Sequence, residues 1–280
     1  MTNGVDRVAA QAAGMDPDRL DALVDFLDRT YLASGRLPHM QLLVSRDEQP
    51  VVSLARGQAR ASGEPLRPDA LYRIASMTKP VTSVAFMMLV EAGKVALDTP
   101  VVELIPEFAD LRVGRANRAR LKRPMLMIDL LRHTSGLTSG LQRQTPIDAR
   151  YRKLGLDEFQ QPRTSDQFVA DLATLPLEFS PGERWNYSVA TDVLGVVIER
   201  LEGRDLESVF RERIFAPLGM VDTTFALPDA KAERMTDAWR LGEQGERQVA
   251  DLGARSGWRR QGRFLSGGGG MYGTTADYLR

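Results

Sequence analysis

The chain has 280 residues, 43% of them apolar, and its 37 acidic side chains balance 37 basic ones. A chain of that length can bury about three quarters of its unfolded surface, as one large domain or one domain carrying a sub-domain. The charge balance implies no strong attraction to nucleic acid or to an anionic membrane. It has no cysteine and only two histidines, His39 and His133, so no disulfide framework, thiolate site, metal centre or other cofactor is expected, and small-molecule chemistry becomes the leading class.

The first twenty residues, MTNGVDRVAAQAAGMDPDRL, contain no apolar signal core, and no uncharged run approaches the roughly 20 residues of a membrane span, so a cytoplasmic location is expected. After this polar start, Asp16 reads as a helix cap and Pro17 as the first helical position, with Leu20, Leu23, Val24 and Leu27 at helical spacing and a stop near Ser34-Gly35. MQLLVSRDEQPVVSLARGQAR carries two β-rich apolar runs around Arg46-Asp47-Glu48-Gln49, which predicts a hairpin with Pro50 at the edge of its turn. Next comes YRIASMTKP, residues 72–80. Proline disrupts a helix beyond its first turn, so Pro80 keeps this helix from starting much before Ser76. Val81, Val84, Ala85, Met88 and Leu89 then share one predicted face until Gly93, a C-terminal cap.

Residues 111–124, LRVGRANRARLKRP, hold a run of basic side chains with no aromatic or glycine-rich partner, and read as a solvated loop rather than an anion site. The apolar stretch Ile128–Leu131 gives way at RHTSGL to a Ser-Gly turn, and residues 138–165 read as a polar, irregular loop that lines a pocket. EFSPGERWNYS predicts a turn and the entry to a helix whose Val193, Leu194, Val197, Ile198 and Leu201 form a face ending at Gly203. The GGGG at 267–270 lacks the lysine of a phosphate-binding loop and reads as close backbone packing beside the pocket. Thr274 and Asp277 read as a capping box for a last helix.

At a helix start, Ser76 gains from the partial positive charge of exposed N–H groups, and Lys79 lies one turn on over the same face. A lysine amine that is neutral part of the time can activate such a hydroxyl, which makes the pair a nucleophile and its partner. One S-x-x-K triplet is weak evidence by itself. Tyr187, just ahead of a predicted helix, adds a phenol that can reach the same place, although a lone tyrosine at a helix entrance is more often a packing residue. His133 lies two residues from Ser135 in a turn, which denies that pair the geometry of a triad, and it reads as a structural hydrogen-bonding residue.

Five blocks carry a resemblance: LYRIASMTKPVTSVAFMMLVEAGKVALDTPV, DLLRHTSGL, PGERWNYSVATDVLGVVIERL, FAPLGMVDTTF and FLSGGGGMYGTTADYLR. In content and order the chain resembles, from about residue 15 onward, the serine hydrolases of the class C β-lactamase fold, in particular the esterases called family VIII. The resemblance implies an α/β (α+β) architecture of the β-lactamase and penicillin-binding-protein kind, a mainly antiparallel sheet flanked by helices plus a mostly helical domain. Residues 1–75 would form the N-terminal part of the α/β domain, 76–214 the nucleophile helix and helical domain, and 215–280 the return to the α/β domain. It further implies that Ser76 is the acylated nucleophile, Lys79 its proton partner, and Tyr187 the residue that helps deprotonate Ser76 and later activates water. The expected substrate is a small, short-chain carboxylic ester. A β-lactamase or D-amino-acid peptidase, or a non-catalytic remnant of the fold, remain as alternatives. Val189 stands where the lactamases' Y-x-N motif has asparagine, which weighs against the first of these. The family's third motif, K-[ST]-G, H-x-G or W-x-G after the glycine run, does not occur in these 280 residues, so the later sheet strands and a second oxyanion donor are expected to be missing from this stretch. Oligomeric state is not fixed by the sequence.

Overall fold

The computed structural model of the chain describes residues 3–114, 119–158, 160–259 and 262–280. Its N-terminal portion is a three-stranded antiparallel sheet in the order β1 (Gly4–Val5), β3 (Gln49–Gly57), β2 (His39–Arg46). The predicted hairpin closes through Asp47 and Glu48, whose φ values of +50° and +64° give the turn a twist that matches the strands it joins. Two helices cover this sheet. α1 (Arg7–Ala12) is capped by Asp6, and α2 (Pro17–Leu27) is capped by Asp16 with Pro17 in the first position. Ala10, Leu20 and Val24 bury their side chains against Val51, Val52 and Leu54, while Leu23 faces outward. The polar start of the sequence therefore conceals a strand and a helix. A six-residue helix that buries one alanine carries too little apolar period to register.

Beyond the hairpin, β4 (Tyr72–Arg73) leads into α3 (Thr78–Glu91), and the chain continues through α4 (Met127–Leu131), α5 (Pro146–Leu154), β5 (Gln160–Gln161), α6 (Ser165–Ala173), α7 (Ala190–Glu202), α8 (Leu206–Phe210) and α9 (Ala216–Leu218). It returns through a hairpin of β6 (Ala238–Leu241) and β7 (Arg247–Asp251), then β8 (Phe264–Leu265), β9 (Tyr272–Gly273) and α10 (Thr275–Leu279). β9 pairs antiparallel with β4, and β8 with β5, so the end of the chain is tied back to its middle. The main apolar core lies among α3, α4, α6, α7 and α8, with Phe86, Leu89, Met127, Leu130, Phe168, Val197 and Phe210 fully buried.

Three expectations need correction. The buried stripe of α3 is Thr78, Val81, Thr82, Ala85, Phe86 and Leu89, and Val84 is exposed; two threonines turned inward shift the face by one position. Residues 138–165 are not irregular throughout, because Thr145 and Asp148 form a capping box that starts α5, with Pro146 at its first position. At α10 the Thr274 hydroxyl accepts from the Asp277 amide as expected, but the Asp277 carboxylate binds the Asp222 amide and the Thr223 hydroxyl instead of closing the box. Within the basic run, residues 115–118 lie outside the described residues. Of its neighbours, Lys122 pairs with Glu183, and Arg123 pairs bidentately with Asp129.

Asp129 fixes the turn that follows α4. Its carboxylate is buried and accepts from the Leu126 amide and the Thr134 hydroxyl as well as from Arg123. Burial raises its carboxyl, yet the Arg123 bond and the two local donors overcome this and hold it below the ordinary carboxylate range. Asp129→Ala leaves those donors unmatched and is expected to cost about 3 kcal/mol in chemical unfolding, the lower part of the range for a broken buried pair because Arg123 is partly in water.

Among the described residues β2 pairs only with β3. Beside its other edge, Leu37, His39, Gln41 and Leu43 open onto a cleft of about 570 Å³ bounded by Met77, Gly273 and Tyr278. No helix among the described residues is long and apolar enough to cross a membrane.

Candidate active site

Ser76 sits, exposed, on the single helical turn Ala75–Met77 that leads into α3. Ala75 before it has a φ of +44°, a left-handed conformation that costs a residue with a Cβ on the order of 1–3 kcal/mol and persists only where the surroundings fix it. Here they do: the Ile74 amide donates to the Met271 carbonyl (3.0 Å) and the Met77 amide to the Ile74 carbonyl (2.9 Å).

Helical spacing then brings Lys79 over Ser76. Its Nζ donates to Ser76 Oγ at 3.3 Å and to the Gly268 carbonyl at 2.5 Å. From the far side of the chain, Tyr187 places its hydroxyl 2.6 Å from Ser76 Oγ, and Lys79 Nζ lies 4.7 Å from the centre of the tyrosine ring. The structure thus brings together all three residues singled out in the sequence, with two groups converging on one hydroxyl oxygen.

The tyrosine is held from behind. Its ring packs on His133 (centroids 5.0 Å apart) and near Trp185 (6.4 Å), and its carbonyl accepts from Gln142 Nε2 at 3.1 Å. α3 is stitched to the glycine run by two further bonds, Thr82 Oγ1 to the Gly267 carbonyl (2.7 Å) and the Met271 amide to Thr78 Oγ1 (3.2 Å). There is no room for side chains in this seam. A Cβ on Gly267 would lie 2.9 Å from the Thr191 carbonyl oxygen, and one on Gly268 would lie 2.3 Å from Asp192 Oδ2.

The cleft at Ser76 is narrow, about 30 Å³. Leu141, Leu156 and Val189 give it apolar walls, and Ser139, Asp157 and Asp192 polar ones. The sequence patterns single out neither Asp157 nor Asp192. Burial is the main force raising both carboxyls above their usual range. Asp157 accepts from the Ser139 hydroxyl (2.6 Å) and the Gly140 amide (2.7 Å). The available signal for Asp192 was one carboxylate inside ATDVLGVVI, a run of nine residues that are all buried in α7. Among the described residues no group of three or more histidines and carboxylates is placed to hold a metal ion.

His133 is not a catalytic partner of Ser135 in this geometry. It occupies a left-handed position (φ +56°) after α4, and its Nδ1 lies 3.1 Å from the Ser188 hydroxyl. Burial, reinforced by the nearby Lys79 charge, lowers it from 6.5 to about 4, so it is neutral near pH 7. In the unfolded chain His133 binds a proton below about pH 6.5, whereas the folded protein resists it down to about 4. The unfolded state therefore holds more protons in that window, and stability falls as pH falls through it. Melting temperatures measured across a pH series are expected to drop between pH 6.5 and 4, with a smaller drop for His133→Asn. Equal slopes for the two proteins would show that the histidine titrates freely.

The description of the Beta-lactamase family matches residues 21–280. Protein Rv1367c of Mycobacterium tuberculosis is 40% identical in an alignment that covers 78% of this chain and 54% of that protein. Esterase EstB of Burkholderia gladioli is 35% identical in an alignment that covers 96% of this chain and 71% of EstB. The solved structure of EstCE1, described as a hydrolase with promiscuous acyltransferase activity, superposes with a TM-score of 0.80 at 26% identity over 97% of this chain and 72% of EstCE1. The chain spans about half the length of the mycobacterial relative. With its mixed helices and antiparallel strands and a family match over nearly its whole length, the chain belongs to the beta-lactamase family.

Proposed function

We propose that the chain carries the active site of a serine esterase that hydrolyses small carboxylic esters through an acyl-enzyme on Ser76. The observation that carries this reading is the convergence on Ser76 Oγ of Tyr187 Oη at 2.6 Å and Lys79 Nζ at 3.3 Å. In the proposed reaction Ser76 Oγ attacks the ester carbonyl while its proton passes to the Tyr187–Lys79 pair. The Ser76 N–H and the positive end of α3 help to hold the oxyanion. Collapse of the tetrahedral intermediate breaks the C–O bond, and the departing alcohol takes up the proton. Water, deprotonated by the same pair, then adds to the acyl carbonyl and releases the acid and Ser76. The ester preference is supported by likeness to EstB and EstCE1, and by Val189, whose apolar side chain lines the cleft and offers no amide to orient a lactam.

The test is to mix the purified chain with a short-chain p-nitrophenyl ester and follow both product release and the intact mass. A mass increase equal to the acyl group, mapped to Ser76, is expected, with ester turnover faster than nitrocefin turnover. Faster nitrocefin turnover would make the protein a β-lactamase, and the absence of any adduct or turnover would leave a non-catalytic member of the fold.

A further inference from the structure

We infer that Asp192 is a positioning residue for Lys79, acting through the backbone of the glycine run. The inference rests on the esterase reading above, since the position it sets is that of Lys79 on Ser76. Asp192 lies on α7 with 7% of its surface exposed, and its Oδ1 accepts from the Ser266 hydroxyl at 2.5 Å and from the Gly268 amide at 3.0 Å. Gly268 is thereby gripped at its N–H by Asp192 and at its carbonyl by Lys79 Nζ, 2.5 Å away. The same nitrogen donates to Ser76 Oγ. A continuous path of hydrogen bonds therefore runs from α7 through residue 268 to the nucleophile, and glycine fits there because a Cβ at 268 would lie 2.3 Å from Asp192 Oδ2.

Packing alone does not call for a carboxylate here. A buried charge is costly unless it is bonded, and a neutral side chain of similar size would fill the same space. Burial raises the Asp192 carboxyl, while the Ser266 bond and the Lys79 charge oppose that rise. The other charged or titratable groups around this pair are Asp157, which disfavours a second negative charge at Asp192, and Tyr187 and His133, which lie close to Lys79. Fixing the Gly268 carbonyl gives Lys79 Nζ one preferred seat. Without it, the long side chain has rotamers that leave Ser76, and a catalytic group displaced by about 1 Å can lose 10²-fold in rate.

The experiment compares the full chain with Asp192→Leu, which keeps the side chain's branched shape and removes its acceptor, and Ser266→Ala. Fluorophosphonate labelling of Ser76 per folded molecule is expected to slow by about 10- to 100-fold in Asp192→Leu, with the KM for a short-chain ester unchanged. In Ser266→Ala the expected loss is about 3- to 10-fold, the effect of one hydrogen bond. Should Asp192→Leu fail to fold, Ser266→Ala decides. A second measurement is independent of any activity: with lysine enriched in 13C at Cε, the two Lys79 Hε protons should be inequivalent in the wild type and merge in Asp192→Leu, while the four other lysines are unchanged. Wild-type labelling rates in folded variants, or an unaltered Lys79 signal, would overturn the inference and leave Asp192 a structural bond. A wild-type chain that is never labelled would instead overturn the esterase reading, and the Lys79 signal would still decide the role of Asp192.

Discussion

Ser76→Ala is expected to abolish covalent labelling by a fluorophosphonate and to reduce short-chain ester turnover to background. Three other serines border the cleft, Ser139, Ser188 and Ser266, and each is buried and already engaged, with Asp157, His133 and Asp192 respectively. Ser76 alone among these four is exposed with a lysine nitrogen and a phenol on its oxygen. No neighbour is therefore placed to take over. Because the side chain is at the surface and ends in a single hydroxyl, the substitution should leave the melting temperature within a few degrees of the wild type. That separation makes the result readable: loss of labelling in a protein that still melts cooperatively assigns the nucleophile. Survival of about a tenth or more of the turnover would show that another residue is acylated.

Much of the fold was legible because local chemistry and tertiary structure agree. Asp16-Pro17 starts a helix, Asp47-Glu48 turns a hairpin and Gly203 ends a helix in the left-handed conformation that glycine adopts at low cost. The Ser76–Lys79 relation was legible for the same reason, since one helical turn fixes it. Tyr187 was visible only as a candidate, because its approach to Ser76 depends on how α7 packs against α3. The hairpin of β6 and β7 has no such signal: its strands are short and none of their residues is fully buried, so their alternation is weak. Val84 is apolar yet exposed, because the seam with the glycine run draws Thr78 and Thr82 inward to make hydrogen bonds and turns the face of α3 away from it. Asp192 belongs to the same seam. A buried carboxylate has no sequence signature apart from its apolar neighbours, and its partners, Ser266 and Gly268, are more than seventy residues away.

Tyr187→Phe is expected to lower ester turnover by about 10² to 10⁴ with the KM largely kept. The substitution removes one oxygen and nothing else. Phenylalanine retains the ring that packs on His133 and the face that lies 4.7 Å from Lys79 Nζ, so Lys79 keeps its seat and the cleft keeps its shape. What is lost is the group 2.6 Å from Ser76 Oγ, through which the serine proton leaves in the proposed reaction. Lys79 remains at 3.3 Å as a second partner of that hydroxyl, a longer contact that sustains a residual rate and sets the expected loss below that of removing Ser76 itself. A tyrosine present only for packing predicts a different outcome, because its ring would survive the exchange and turnover would stay near that of the wild type. Measuring kcat and KM for one short-chain ester, together with the rate of fluorophosphonate labelling, separates the two. A fall in kcat and in labelling at constant KM places Tyr187 in proton transfer, and near-wild-type values of all three would remove it from the reaction.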